Sequence, residues 1–444
     1  MSKYSKPILL CICIFSILRL CLLLNSIYAH SITVEIEADH ECSTRLSQNN
    51  SSDAHQTNLL QLLNVLADQP LSTRLLASQF KRILTSADGD DWNAVKLRCH
   101  RYGTTPLAGG HKRRIFVGSL LADDSWLTIL SSAIESYAIY HYFVFIESNQ
   151  TQNLSPREFR FTENSPFHKL LTGGIFGPET IVHVKRHIWE SFNFSNDDSM
   201  MREFAQRERI LEFWIQNGMT PNDIGIIQDA DETFSRDFLL AAQSCDFPEL
   251  RSDTDCAKSR LVAKGIFFIG SFSCMNFGWF KPQMLIGHCF ERIGNSSGIP
   301  SYPLGATNDR LPGYGWNDDF SKIPQGPFPL YKIQDLVRPG GTIYYPYNNM
   351  TNPNAYHFQN FFNTPDNYRF KYGTYGHANA NAFNVSFEKL NQLVEMMINC
   401  AQNIPQLHVQ SMSQQHLFAP ASFAETDFIT ARQQEILGFL DNKP

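Results

Sequence analysis

Between residues 113 and 245 the chain alternates short apolar runs with longer stretches in which apolar residues recur every three or four positions. The short runs predict buried strands, and the periodic stretches predict helices with one apolar face. In chain order the predicted elements are strands at 115–118, 142–146, 180–184 and 224–227, and helices at 125–137, 198–217 and 237–244. Strands that alternate with helices indicate an α/β fold, in which a mostly parallel sheet has helices on both faces.

The remaining patterns divide the chain into four predicted regions: a targeting segment at 1–29, a stem at 30–110, a main domain at 111–400 and a polar tail at 401–444. Amphipathic helical patterns between Leu59 and Leu84, split by Pro70, support a helical stem. The second half of the main domain is rich in Gly, Pro, Asn and aromatic residues, which predicts long ordered loops. The expected loops include 276–280, 312–316 and 344–347.

The targeting segment has two interpretations. Lys3 and Lys6 precede an apolar run, and Ile27-Tyr28-Ala29 offers a cleavage site, as in a signal peptide. The run also approaches the length of a membrane anchor, although Arg19 at mid-depth would cost about 2.5–3 kcal/mol. Either interpretation predicts a Golgi or ER lumenal domain, which is secreted if the segment is cleaved.

Eight Asn-x-Ser/Thr sequons favour the same location, because lumenal proteins are glycosylated at such sites. They begin at Asn49, Asn50, Asn149, Asn153, Asn193, Asn295, Asn349 and Asn384. Seven cysteines follow the targeting segment, and an oxidising lumen should pair some of them. Cys245 with Cys256, and Cys274 with Cys289, would each close a short loop. A formal net charge of -6 argues against a nucleic-acid partner.

Two carboxylates, Asp229 and Asp231, follow the apolar run 224–227 directly. In open α/β sheets ligands bind beyond the carboxyl ends of the strands. Two carboxylates separated by one residue suit a hard divalent cation, Mn²⁺ or Mg²⁺, held beside a diphosphate. An isolated pair of this kind is more often a solvated turn, and the strand–helix context favours the metal site here.

The segment 223–232, followed by Arg236 and Asp237, resembles the nucleotide-sugar motif of glycosyltransferase family 17, the family of the bisecting N-acetylglucosaminyltransferases. Glu147-Ser148-Asn149-Gln150-Thr151 is similar to the end of that family's second strand. The resemblance covers about 113–245. It implies a GT-A-type, Rossmann-like fold, a UDP-sugar donor and inversion at the anomeric carbon.

Several further residues are candidates for donor binding. Glu147 and Asn149 follow a strand at the same predicted sheet edge as Asp229, where they would contact the uracil, the ribose or the sugar. Arg207 and Arg209 lie on the preceding helix, where either would balance the diphosphate. The alternatives are a polar cluster that caps the loop and a solvated helix face.

An inverting transfer needs a carboxylate that takes the proton of the acceptor hydroxyl. Asp318 and Asp319, in an aromatic, Gly-rich segment, are candidates for this base, and Glu232 is their competitor. A metal held by Asp231 often gains a later His in enzymes of the GT-A type, which makes His357 and His377 candidate ligands. A lone His is more often a hydrogen-bonded structural residue.

Together these features predict a metal-dependent hexosyltransferase of the β-1,4-mannosyl-glycoprotein 4-β-N-acetylglucosaminyltransferase type. It would transfer a sugar, N-acetylglucosamine in the first instance, from a UDP donor to a glycan or glycoprotein acceptor. Two alternatives stay open. One is a transferase of the same fold with another donor or a polysaccharide acceptor, and the other is a non-catalytic, secreted carbohydrate-binding protein.

Overall fold

The computed structural model describes residues 91–122, 126–163, 165–188, 199–254, 256, 259–279, 281–294, 342–344, 353–361, 365–374, 384–390, 392 and 410–411, all within one unit at 59–444. The α-helices of this part are α1 (Trp92–Arg101), α2 (Trp126–Ser136), α3 (Pro166–Thr172), α4 (Ser199–Gln216), α5 (Arg236–Ser244) and α6 (Pro365–Thr374). Its strands are β1 (Ile115–Leu121), β2 (Tyr142–Ser148), β3 (Ile181–His187), β4 (Ile224–Asp229), β5 (Glu232–Phe234), β6 (Leu261–Ala263), β7 (Gly265–Ile269), β8 (Ser271–Trp279), β9 (Gln283–Ile286), β10 (Thr342–Tyr344), β11 (Ala355–Gln359) and β12 (Gln410–Ser411).

The larger sheet has seven strands in the order β10–β6–β9–β4–β1–β2–β3. The four strands β3, β2, β1 and β4 are parallel, and β9 runs antiparallel to β4. Helices connect the successive parallel strands. This confirms the predicted mixed α/β architecture and each strand and helix predicted between 113 and 245. The pattern did not predict the short helix α3, whose first turn is capped by the hydroxyl of Ser165.

The unbroken apolar runs of β1 and β2 have the physical basis that was predicted: both faces of the sheet are covered. Val117 packs in the cluster that contains α2, whereas Phe116 points to the other face and packs in a cluster with Trp214 of α4. A Cβ atom added at Gly118 would lie 2.1 Å from Cγ2 of Ile210. Only glycine permits α4 to pack this closely on β1, and this contact sets the position of α4 on the sheet.

The smaller sheet has five strands in the order β12–β8–β7–β11–β5. Strand β11 is parallel to β7 and antiparallel to β5, and β7 pairs with β8. The predicted loop at 276–280 is therefore wrong up to Trp279, because pairing with β7 overrides the weak strand propensity of Asn276 and Gly278. The predicted loop at 344–347 is likewise wrong at its first residue, because Tyr344 ends β10.

Two disulfides join segments that are distant in the sequence, Cys99 with Cys245 and Cys256 with Cys289. The expected pairs, Cys245 with Cys256 and Cys274 with Cys289, were wrong. They rested on short sequence separation, whereas the fold brings α1 against α5. The first disulfide and the ion pair of Arg98 with Asp237 hold α1 on the main domain, although its residues fall in the region predicted as stem.

The targeting segment 1–29, the helical patterns at 59–84 and almost all of the predicted tail lie outside the described residues. Within the described part of the chain, no helix is long and apolar enough to cross a membrane.

Candidate functional site

The acidic motif lies at the carboxyl end of the parallel strands, as its position after an apolar run predicted. In the strand register Asp229 is opposite Leu120, and Glu147 is opposite Leu121. The ends of β1, β2 and β4 therefore form one edge of the sheet, which we call the rim. The short strand β5 turns back from this edge directly after Asp231.

Asp229 is held by a buried arginine. Its carboxylate accepts a 2.6 Å hydrogen bond from Arg207, whose guanidinium also donates to Glu203 at 2.9 Å. The side chain of Arg207 is 4% exposed, whereas that of Asp229 is 45% exposed. Burial would lower the pKa of Arg207, but Asp229 and Glu203 outweigh it and raise that pKa. Desolvation would raise the pKa of Asp229, but Arg207 and Lys281 bring it down to about 2. Both groups are thus charged at neutral pH.

Asp231 faces two cationic or basic side chains from the second half of the chain. Its Oδ2 lies 3.5 Å from Nε2 of His357 and 3.7 Å from Nζ of Lys371. Burial would raise the pKa of Asp231, but His357, followed by Lys371, outweighs burial and lowers that pKa. Asp231 is therefore an anion that is 14% exposed at the rim.

The pairing of β5 with β11 brings His357 to this place. His357 is opposite Glu232 in the antiparallel register, and the amide of Phe358 donates a 2.7 Å hydrogen bond to the carbonyl of Asp231. The imidazole stacks on Phe267 of β7, with ring centroids 4.9 Å apart. The backbone pairing and the stack on Phe267 place the ring so that its Nε2 lies 3.5 Å from the carboxylate of Asp231.

Glu232 is a deeply buried carboxylate beside Asp229, at 2% exposure. Its Oε2 accepts a 3.2 Å hydrogen bond from the amide of Asp229. Desolvation, together with the neighbouring charge of Asp229, raises the pKa of Glu232 to about 7. This hydrogen bond links the two ends of the turn between β4 and β5.

The three predicted metal ligands, Asp229, Asp231 and His357, differ in their contacts. Around a hard octahedral cation, neighbouring ligand atoms are about 3 Å apart, and the 3.5 Å separation of Asp231 from His357 is close to this. Asp229 is engaged by Arg207 instead. In the described part of the chain, the one group of three His, Cys, Asp or Glu ligand atoms close enough for a metal is Cys256, His288 and Cys289. Both of its thiols are in a disulfide.

Two residues that were predicted to bind the sugar donor, Glu147 and Asn149, make hydrogen bonds within the protein. Both carboxylate oxygens of Glu147 accept backbone hydrogen bonds, from Arg160 at 2.6 Å and Phe161 at 3.2 Å. The backbone of Asn149 bonds to His187 and to Arg157. These two residues lie at the rim, as predicted, and in the structure they order the loop after β2.

Arg209 lies on the outer face of α4, where its side chain is 47% exposed and pairs with Glu212 at 2.9 Å. Its guanidinium also lies 5.8 Å from the ring of Phe213. This is the solvated helix face that was the alternative to a donor contact. Asp318, Asp319 and His377 lie outside the described residues, so the prediction of a base at 318–319 stays a prediction.

Lys371 and Lys281 were missed by the sequence analysis. Lys371 belongs to α6, and Lys281 is close enough to affect the pKa of both Asp229 and Glu232. No motif marks either lysine, because their distance from the aspartates depends on the long-range packing of the second half.

Comparisons of the chain with protein-family models, with curated proteins and with solved structures found no match. The function therefore has to be argued from the chemistry of the rim.

Proposed function

We propose that this protein is a GT-A-type glycosyltransferase that uses Mn²⁺ or Mg²⁺ and a UDP-sugar. The observation that carries the proposal is the 3.5 Å approach of Asp231 to His357 at the carboxyl end of a parallel sheet. One oxygen ligand from the turn before β5 and one nitrogen ligand from β11 leave the other coordination positions for phosphate oxygens and water. The resemblance of segment 223–232 to glycosyltransferase family 17 supports the same function.

Asp231 and His357 would hold the cation, which, when bound, supplies positive charge to the leaving diphosphate. Asp229 has a separate task. Arg207 fixes the orientation of the Asp229 carboxylate, and the 45% exposure of the Asp229 side chain leaves an oxygen accessible to a ligand. A fixed, accessible carboxylate is suited to accept hydrogen bonds from the ribose hydroxyls of the donor. Asp229 thus positions the nucleotide next to Asp231.

Asp318, Asp319 and Glu232 remain the candidates for the general base. The contact of Glu232 with the amide of Asp229 and its burial favour a structural role for that residue. The base role is therefore assigned first to 318–319. The acceptor is proposed to be a glycan or glycoprotein in the Golgi or ER lumen, in keeping with the targeting segment and the sequons.

Donor hydrolysis tests the proposal. Wild type, Asp231→Ala and the control Asp253→Ala, an exposed aspartate, are incubated with UDP-N-acetylglucosamine and Mn²⁺, with and without EDTA. We expect UDP release from wild type and the control, and its loss with EDTA or in Asp231→Ala. Equal turnover in all arms would refute the metal role of Asp231.

The donor sugar is identified by thermal shift, because a nucleotide sugar that binds the folded state raises the melting temperature. UDP-sugars and GDP-sugars are compared with Mn²⁺ present. A shift with a UDP-sugar other than UDP-N-acetylglucosamine would indicate the same fold with another donor. A shift with free glycans and no turnover of any nucleotide sugar would indicate a carbohydrate-binding protein.

A further inference from the structure

The two aspartates of the rim differ in the cation that each one faces. Asp229 is bonded to Arg207, a side chain that is 4% exposed and shared with Glu203. Asp231 faces Lys371, a side chain that is 27% exposed and 3.7 Å away. A lysine ammonium is a compact charge on a flexible stem, whereas a buried, doubly bonded guanidinium is fixed. Of these two cations, Lys371 is therefore the one that can change its partner.

The backbone that carries Lys371 is held at the rim on two sides. The side-chain amide of Asn153, in the loop after β2, donates a 3.0 Å hydrogen bond to the carbonyl of Gly373. Arg369 donates to the carbonyl of Val385 at 3.0 Å. These contacts hold the backbone of α6, whereas the Lys371 side chain is 27% exposed and has a flexible stem. Any movement of the ammonium would stay within the length of one side chain.

Charge decides what happens when a cation binds. Oδ2 of Asp231 lies 3.5 Å from Nε2 of His357 and 3.7 Å from Nζ of Lys371, so the ammonium already faces this carboxylate before any ligand is present. A divalent cation that takes Oδ2 of Asp231 would repel the ammonium at this distance. The ammonium would then need another anion at the same edge. Asp229 is already bonded to Arg207. If the proposed function holds, the diphosphate of the donor supplies a further anion at this edge.

We propose that Lys371 is a phosphate-binding residue, which exchanges Asp231 for a phosphate oxygen of the nucleotide when the divalent cation binds. This inference rests on the proposed function and adds to it a residue that no motif marked. It has two consequences of opposite sign. Lys371 weakens the binding of the cation alone, because both compete for one carboxylate oxygen, and it strengthens the binding of UDP, because it contacts the phosphates.

Isothermal titration calorimetry on the full chain tests both consequences. The proteins are wild type, Lys371→Met, Lys371→Gln, Lys371→Arg and the control Lys389→Met, which removes an exposed lysine after α6. Each is titrated with Mn²⁺ alone, and then with UDP at saturating Mn²⁺. Loss of one charge-assisted phosphate contact should weaken UDP binding about 10- to 100-fold in the Met and Gln variants. The Arg variant and the control should stay within about threefold of wild type.

The Mn²⁺ titration should show the opposite change. We expect a several-fold tighter Kd for Mn²⁺ alone in Lys371→Met and Lys371→Gln, because the competing ammonium is gone. UDP affinity equal to wild type in these variants would overturn the proposal, and so would unchanged Mn²⁺ affinity. If wild type itself binds no UDP at saturating Mn²⁺, the proposed function fails, and the assignment of Lys371 falls with it. Melting temperatures confirm that each variant is folded.

Discussion

The two sides of the rim are built in different ways. The Asp229 side comes from one continuous stretch, α4 and β4, in which Arg207 reaches the strand that follows its own helix. The Asp231 side is assembled from three separate segments, since His357 comes from β11 and Lys371 from α6. The cation of the first side, Arg207, is buried and bonded to two carboxylates, whereas the lysine of the second side is more exposed and its ion pair is longer. This difference suits a site in which one carboxylate positions a nucleotide and the other exchanges its cation.

The packing beneath the two sides explains the difference. Helix α4 lies so close to β1 that Ile210 leaves no space for a Cβ atom at Gly118, which fixes the middle of the helix, where Arg207 lies, against the strand. The other side depends on the pairing of β5 with β11 at three residue pairs. A short strand pairing fixes backbone positions, and the ends of its side chains remain free to adjust to a ligand.

The largest effect is expected from a substitution that disrupts the fixed side, at Arg207. Arg207→Met removes the guanidinium that bonds the Asp229 carboxylate and also removes its ion pair with Glu203. Breaking a buried ion pair destabilises by about 3–5 kcal/mol, and because Asp229 is 45% exposed, water should reduce the loss to about 2–3 kcal/mol. Urea unfolding at pH 7 measures it.

Lys371→Met is the matched comparison for that experiment. Its pair with Asp231 is 3.7 Å long and the lysine is 27% exposed, so the loss of unfolding free energy should stay below about 1 kcal/mol. Arg207→Lys should fall between the two, since a lysine keeps the charge and loses one of the bonds. If both Met variants lost the same stability, the distinction between a fixed and an adaptable side would be wrong.

The same comparison shows how far the sequence could predict the site. Asp229 and Arg207 were found because an apolar strand ends at the aspartate and the arginine lies on the preceding helix, and local patterns record both. His357 was a candidate, but its contact depends on β11 pairing with β5. Lys371 had no signal at all. The cysteine pairs failed for the same reason, since sequence separation says nothing about α1 packing on α5.

Glu232 touches both sides, and its titration gives a prediction for pH dependence. Desolvation and the charge of Asp229 raise the pKa of Glu232 from its ordinary value of 4.5 to about 7, so the folded protein binds the proton more tightly than the unfolded chain. Its contribution to stability is fully present below about pH 4.5 and is lost as the pH rises through about 7. The slope should approach at most about 1.4 kcal/mol per pH unit.

Urea unfolding of Glu232→Gln between pH 5 and pH 8 measures this slope. The variant cannot ionise, so the fall in stability should be absent from it and present in the control Glu388→Gln, which changes an exposed residue. The carboxylates of Asp229 and Asp231 have lowered pKa values, so their contribution is lost only as the pH falls below about 4. A fall of equal size in wild type and Glu232→Gln would show that another group causes it.

The smallest effect is expected at Arg209. The sequence analysis grouped Arg209 with Arg207 as candidates for donor binding, and this substitution distinguishes the two. Its pair with Glu212 is on an exposed helix face, where such pairs contribute about 0.3–0.5 kcal/mol. Arg209→Ala should therefore change the unfolding free energy by no more than this and leave the Kd of UDP with Mn²⁺ unchanged. Weaker UDP binding without loss of stability would show that the nucleotide extends over the outer face of α4. In that case the rim would be only part of the donor site, which would extend along α4 from Arg207 to Arg209.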